Sequence, residues 1–125
     1  MPNFLETILA RLKRADGRVV LREIRGDQFV SVTGRELLEH IQLVRMFIRS
    51  SGVRPGARCA LLAPNSIRWA VFHLAVMAEG MIVVPLYSRQ APAELVGMFP
   101  GGAKLPGRLS IEAACGSICF LRRVA

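Results

Sequence analysis

Residues 58–86 read RCALLAPNSIRWAVFHLAVMAEGMIVVPL, and this stretch decides the fold. Cys59 to Ala63 is a continuous apolar run of strand length, the pattern of a strand covered on both faces in a parallel sheet. Pro64-Asn65-Ser66 breaks the run and supplies a cap, so a helix is predicted over 67–78. Gly80 stops that helix, and MIVVPL (81–86) is a second apolar strand. Strand, helix and strand in this order make one βαβ unit, whose crossover is right-handed with very few exceptions. The run from Trp69 to Tyr87 also has the length of a membrane-spanning helix. His73 and Glu79 would then sit near mid-bilayer, where an acidic group costs about 2.5–3.5 kcal/mol. A soluble core explains the same letters without that cost, and no transmembrane segment is expected.

Upstream, Asn3-Phe4-Leu5-Glu6 has capping-box spacing, and Phe4, Ile8 and Leu12 recur at helical intervals, which predicts a helix over 4–14 ended by Asp16-Gly17. RVVLREI (18–24) and QFVSVT (28–33) are β-rich and joined across Arg25-Gly26-Asp27, which predicts a hairpin. Thr33-Gly34-Arg35-Glu36 is a second capping box. Leu37, Ile41, Val44 and Ile48, with Leu38, form one apolar stripe of the helix that follows. The opposite face carries Arg35, Glu39, Gln42, Arg45 and Arg49, and Ser51-Gly52 ends the helix. Downstream, Pro92-Ala93-Glu94-Leu95 starts a short helix to Phe99. From Pro100 the texture changes to turns and glycines with no clear period.

The chain has 125 residues and a formal charge of +8, and 52% of its residues are hydrophobic, too many for intrinsic disorder. The charge raises nucleic-acid or anionic-membrane binding. Against this, nearly all the cations are scattered arginines without a long basic run, and one tyrosine and one tryptophan offer no stacking platform. No specific nucleic-acid partner is expected. The odd cysteine count (Cys59, Cys115, Cys119), without a secretory leader, favours reduced thiols and a cytoplasmic location. His40 and His73 sit in helical contexts without metal-like spacing and read as helix-face or core histidines.

The blocks Gly52-Val53-Arg54-Pro55-Gly56, CALLAPNS (59–66), Trp69, LAVMAEGMIVVPLY (74–87) and QAPAEL (90–95) resemble the start of the adenylate-forming, AMP-binding synthetases. Within them the chain is similar to the N-terminal region of long-chain fatty-acid–CoA ligases over residues 17–99. Ala57 departs from the family's usual acidic residue. The resemblance implies ATP, magnesium and coenzyme A as cofactors and a fatty acid as substrate. It also implies a Ser/Thr/Gly-rich loop ending in lysine, a threonine-glutamate pair near magnesium, a ribose-binding aspartate and a C-terminal lysine. All of these lie beyond the matched blocks, so no catalytic, cofactor-binding or metal-binding residue is assigned in this chain. Pro100-Gly101-Gly102-Ala103-Lys104 fails the P-loop pattern and reads as a structural turn. Ser31, Thr33, Ser50, Ser51 and Ser110 lack a nearby His-acid pair.

The expectation is an α/β chain in which an N-terminal hairpin and helices lead into one right-handed βαβ unit, a truncated part of the adenylate-forming fold. Residues 1–99 are its N-terminal synthetase part, and 100–125 an atypical tail. A shifted reading frame explains the abrupt change at Phe99, and the tail is then expected to add little to the fold. The rival is an evolved tail in which 111–124 covers the exposed sheet edge. The expected function is a fragment of an AMP-forming long-chain acyl-CoA synthetase, inactive alone. The alternatives are a self-association or complementation module using an exposed sheet edge, and a basic binder of anionic membrane or nucleic acid. Hydrogen-exchange protection is expected to be strongest over 33–86.

Overall fold

Two reciprocal caps start the first two helices. The Asn3 side chain accepts from the Glu6 N–H at 2.8 Å while Glu6 accepts from the Asn3 N–H at 2.8 Å. They open α1 (Phe4–Ala15), and the same exchange between Thr33 and Glu36 opens α2 (Gly34–Ser50). Between them lie β1 (Val19–Arg25) and β2 (Gln28–Thr33), paired antiparallel with Arg25 opposite Gln28. β3 (Arg58–Leu62), α3 (Ile67–Ala78) and β4 (Ile82–Leu86) follow, and two strands, β5 (Ser110–Ala113) and β6 (Ser117–Arg122), come last. The computed structural model describes residues 1–86, Arg89, 110–113 and 117–122, the last two segments through their backbone. The helix expected over 92–99 and the turn at 100–104 lie outside the described residues.

β3 and β4 pair in parallel, Arg58 opposite Ile82 through Leu62 opposite Leu86, with α3 as the crossover. The βαβ unit read from the sequence is therefore present. Cys59, Ala60 and Leu61 are buried, as a strand covered on both faces requires. β4 differs from that expectation, because Ile82 is 52% exposed and Pro85 is also exposed.

Two segments of the tail join the sheet. β6 pairs antiparallel with β3 from Arg58 opposite Arg122 to Leu62 opposite Ile118, and β5 pairs antiparallel with β6. The sheet order is β4-β3-β6-β5, so the sheet is mixed and the second edge of β3 is taken. An apolar strand with an open edge gains backbone partners from any extended segment that reaches it. That is the outcome offered by the rival reading of 111–124.

The core forms where α2 and α3 pack together and onto β3. Leu37, Ile41 and Ile48 come from α2, Val71, Ala75 and Val76 from α3, and Cys59 and Leu61 from β3, all in one cluster. Each Leu or Ile so buried contributes about 1.5–3 kcal/mol. The α1–α2 junction is close. A Cβ placed on Gly34 would lie 2.5 Å from the Leu12 carbonyl oxygen and 2.9 Å from the Ala15 Cβ. Asp16, at φ 46°, turns the chain there, and its carboxylate accepts two bonds from Arg35, each at 2.8 Å.

Candidate functional site

Three elements meet at the start of α3. Ser66 caps the helix by accepting from the Trp69 N–H at 3.1 Å. The N–H of Ile67 is taken by Glu23, which reaches across from β1, and the other Glu23 oxygen pairs with Arg25. A carboxylate at a helix N-terminus meets both unpaired N–H groups and the positive end of the dipole. The Ile67 N–H foremost, then Arg25, hold Glu23 below the ordinary glutamate value. This contact, between residues 44 apart in sequence, pins the hairpin to the βαβ unit.

Two clefts flank the pin. One, about 510 Å³, has apolar walls from Val30 and Val32 of β2, Leu43 and Val44 of α2, and Val71 and Phe72 of α3. Arg25, Arg68, Glu36 and His40 contribute its charged or polar rim. The other, about 720 Å³, runs along β1 from Leu21 to Arg25, facing Pro64, Asn65 and Ser66. Both volumes lie in the range of small-molecule sites, about 300–1,000 Å³.

Glu36 and Glu79 serve structure. Glu36 closes its capping box and is held below its ordinary value first by the Thr33 N–H and then by the Thr33 hydroxyl. Glu79, at the C-cap of α3, receives Arg45 Nε at 2.7 Å and Arg49 Nε at 2.8 Å. Arg49 first and Arg45 second keep Glu79 ionised to lower pH. Arg45 and Arg49 were expected on the face of α2 opposite the core. They instead bridge α2 to α3, which relieves an acid placed at the negative end of a helix.

His73 packs its ring 4.7 Å from that of Trp69, and its Nδ1 is buried with no hydrogen-bond partner. Burial lowers its pKa and favours the neutral ring. His40 is exposed on α2. Thr33 caps α2, and Ser50 and Ser51 donate to the Phe47 carbonyl at 2.7 and 2.8 Å. Ser31 lies at the rim of the smaller cleft, and Ser110 is described through its backbone. Among the described residues no group of three His, Cys, Asp or Glu converges on a possible metal. No helix among the described residues is long and apolar enough to cross a membrane.

The scaffold has relatives. Residues 10–99 match the family described as AMP-binding enzyme. The chain belongs to that family. Its match ends at Phe99, where the sequence changes texture. Over 78 residues the chain is 32% identical to a probable CoA ligase of Humulus lupulus, covering 61% of this chain and 12% of that protein. A benzoate CoA ligase from Burkholderia xenovorans superposes with a TM-score of 0.67 at 23% identity, over 78% of this chain and 19% of that one. A fatty acyl-adenylate ligase from L. pneumophila, solved with acyl adenylate and pyrophosphate, gives a TM-score of 0.62 at 19% identity. That match covers 66% of this chain and 15% of the ligase. The chain thus spans about an eighth of the curated relative and a fifth or less of these solved AMP-binding structures.

Proposed function

We propose that this chain serves as the amino-terminal scaffold of an AMP-forming long-chain acyl-CoA synthetase. The complete reaction would join a fatty acid to ATP, giving acyl adenylate and pyrophosphate, and then pass the acyl group to coenzyme A. The supporting observation is the family match over residues 10–99, which coincides with a fold in which Glu23, Glu36 and Glu79 serve caps and ion pairs. Phosphoryl and adenylyl chemistry rests on electrostatic stabilisation of developing charge, by donors and metal aimed at phosphates. The proposed role is to position elements that other segments would complete. By itself the chain is proposed to be inactive.

An ATP–pyrophosphate exchange assay with palmitate tests this. The purified chain should give no magnesium-dependent exchange above background. A segment supplying the rest of the synthetase domain should restore exchange when added. Turnover by the chain alone would overturn the inactivity, and failure of every complementing segment would overturn the scaffold role.

A non-catalytic interaction module is the second reading. It is favoured by large apolar side chains left exposed on separate elements, Ile24 (72%) and Phe29 (71%) on the hairpin and Leu43 (63%) on α2.

A further inference from the structure

We infer that α2 carries a second, outward apolar stripe through which two copies of this chain pair, their α2 helices antiparallel. The inference stands apart from the ligase reading, since neither the family match nor the clefts enter it.

A helix lying on a core needs one apolar stripe, and α2 already has it in Leu37, Ile41 and Ile48, all buried. Leu43, Met46 and Phe47 make a second. They stand at i, i+3 and i+4, the spacing of neighbours on one helix face. At about 100° per residue, that face points roughly away from the first. The three side chains keep 63%, 57% and 39% of their surface in water. Unlike scattered exposed residues, they lie side by side on a regular element, so one straight partner can cover them together.

Charge selects that partner. The amino-terminal half of α2 carries Glu36 and Glu39, while Arg35 there is tied to Asp16. The carboxyl-terminal half carries Arg45 and Arg49, which share the single charge of Glu79. Exposed Arg54 follows just past the turn at Gly52. One end is therefore net acidic and the other net basic. A matching helix must present apolar side chains at the same spacing with its charges in reverse order. α2 turned end for end meets both demands, and its reversed dipole is also favourable. A two-fold axis crossing α2 between Leu43 and Met46 sets Leu43 of one copy against Met46 of the other. It also lays Glu39 beside Ser50 and Arg49 of the second copy, and each contact occurs twice. Arg49 gives Glu79 its Nε, and a guanidinium has further donors for that glutamate.

Three partly exposed side chains contribute well under the ~800 Å² per partner of a standard interface, and each copy carries a charge of +8. The pair should therefore be weak and reversible, with Kd on the order of 10 μM.

The experiment follows the full chain by sedimentation and by amide shifts on dilution. Physiological ionic strength is used, where repulsion between copies is screened beyond about 8 Å. The expected result is a monomer–dimer equilibrium with concentration-dependent shifts largest at Leu43, Met46 and Phe47. Leu43→Ser combined with Met46→Ser should raise Kd at least about tenfold. Glu39→Arg should raise it severalfold by placing like charges at Arg49 of the second copy. All three positions are exposed, and the shift map on the unaltered chain needs no variant. A monomer at millimolar concentration, shifts centred on Ile24 and Phe29 or along β4, or unchanged association in either variant would each overturn the pair. Docking of a complementing synthetase segment on this face, with no self-association, would do the same. Pyrophosphate exchange reads none of these quantities, so the ligase reading stands or falls separately.

Discussion

Deleting residues 100–125 tests the role of β6 at the level of single amides. In a parallel ladder, successive residues of a strand turn their N–H and C=O groups to opposite sides. Ile82 donates to the Ala57 carbonyl at 2.9 Å, which sets the phase. Cys59 and Leu61 therefore bond toward β4, while Arg58, Ala60 and Leu62 bond toward β6, where they face Arg122, Phe120 and Ile118. Removing the tail takes the partners from one set and spares the other. The global effect is small, because each ladder bond contributes only about 1 kcal/mol net. Ordering the four residues of β5 and six of β6 costs about 1–2 kcal/mol each in backbone entropy. These terms largely offset, so melting temperature should move by only a few degrees. The local effect is large. Protection of the Ala60 and Leu62 amides should fall at least about a hundredfold, some 2.8 kcal/mol of opening free energy. Cys59 and Leu61 should stay within a few-fold of their starting values. Hydrogen exchange on the intact and shortened chains, read by amide resonance, gives both numbers. If all four amides respond alike, or if none responds, β6 does not lie on β3 as described.

Two further outcomes follow from the packing. Gly34→Ala should destabilise the chain by about 1–2 kcal/mol in chemical denaturation, because the new Cβ meets a backbone oxygen that no rotamer change can move. That loss exceeds the gain in helix propensity; an equal or higher midpoint would disprove the close α1–α2 junction. Glu79→Gln should cost about 1 kcal/mol at neutral pH by unpairing Arg45 and Arg49. Since Glu79 is depressed from its ordinary value of 4.5, its contribution is complete above that pH and is lost as pH falls through the folded-state value. The difference between wild type and variant should therefore shrink on acidification, and a gap that stays constant with pH would contradict the clamp.

What the sequence revealed was local. The caps at Asn3, Thr33 and Ser66 were legible because a capping side chain reaches only two or three residues along the chain. Strand and helix limits read from periodicity fall within a residue or so of those observed, and the expected helix over 67–78 coincides with α3. What the sequence did not reveal was long-range. Glu23 reads as one acid among arginines in a strand, and nothing near it signals a helix start 44 residues away. The same holds for Glu79 with Arg45 and Arg49, where i, i+4 arginines on a polar face look solvated until α3 is laid beside them. The pairing of β6 with β3 was held only as a rival reading, for a different reason. Ile118, Phe120 and Leu121 fit neither period cleanly, and pairing depends on the edge that β3 offers rather than on the segment's own pattern.

Two of the blocks that carry the family resemblance have a physical basis in the turns they make. GVRPG at 52–56 and GMIVVPL at 80–86 look like separate blocks in sequence, yet they form one device. The Gly56 N–H donates to the Gly80 carbonyl at 2.8 Å, and Ile82 then donates to Ala57. This joins the turn before β3 to the turn before β4 and sets the register of the parallel pair. Both glycines sit at positive φ, 83° and 71°, so side chains are strained there. The phase that turns Ile82 toward β3 also turns Pro85 outward, where its missing N–H removes a donor from the side of β4 that faces no other described strand. That edge can offer only part of a ladder to a second copy, which weakens the case for self-association through β4. A fixed register also fixes where β3 and β4 end, at Leu62 and Leu86, and open α/β sheets bind ligands beyond such carboxyl ends. Family identity is thus written into the geometry that presents a site, and the chemistry can be written elsewhere.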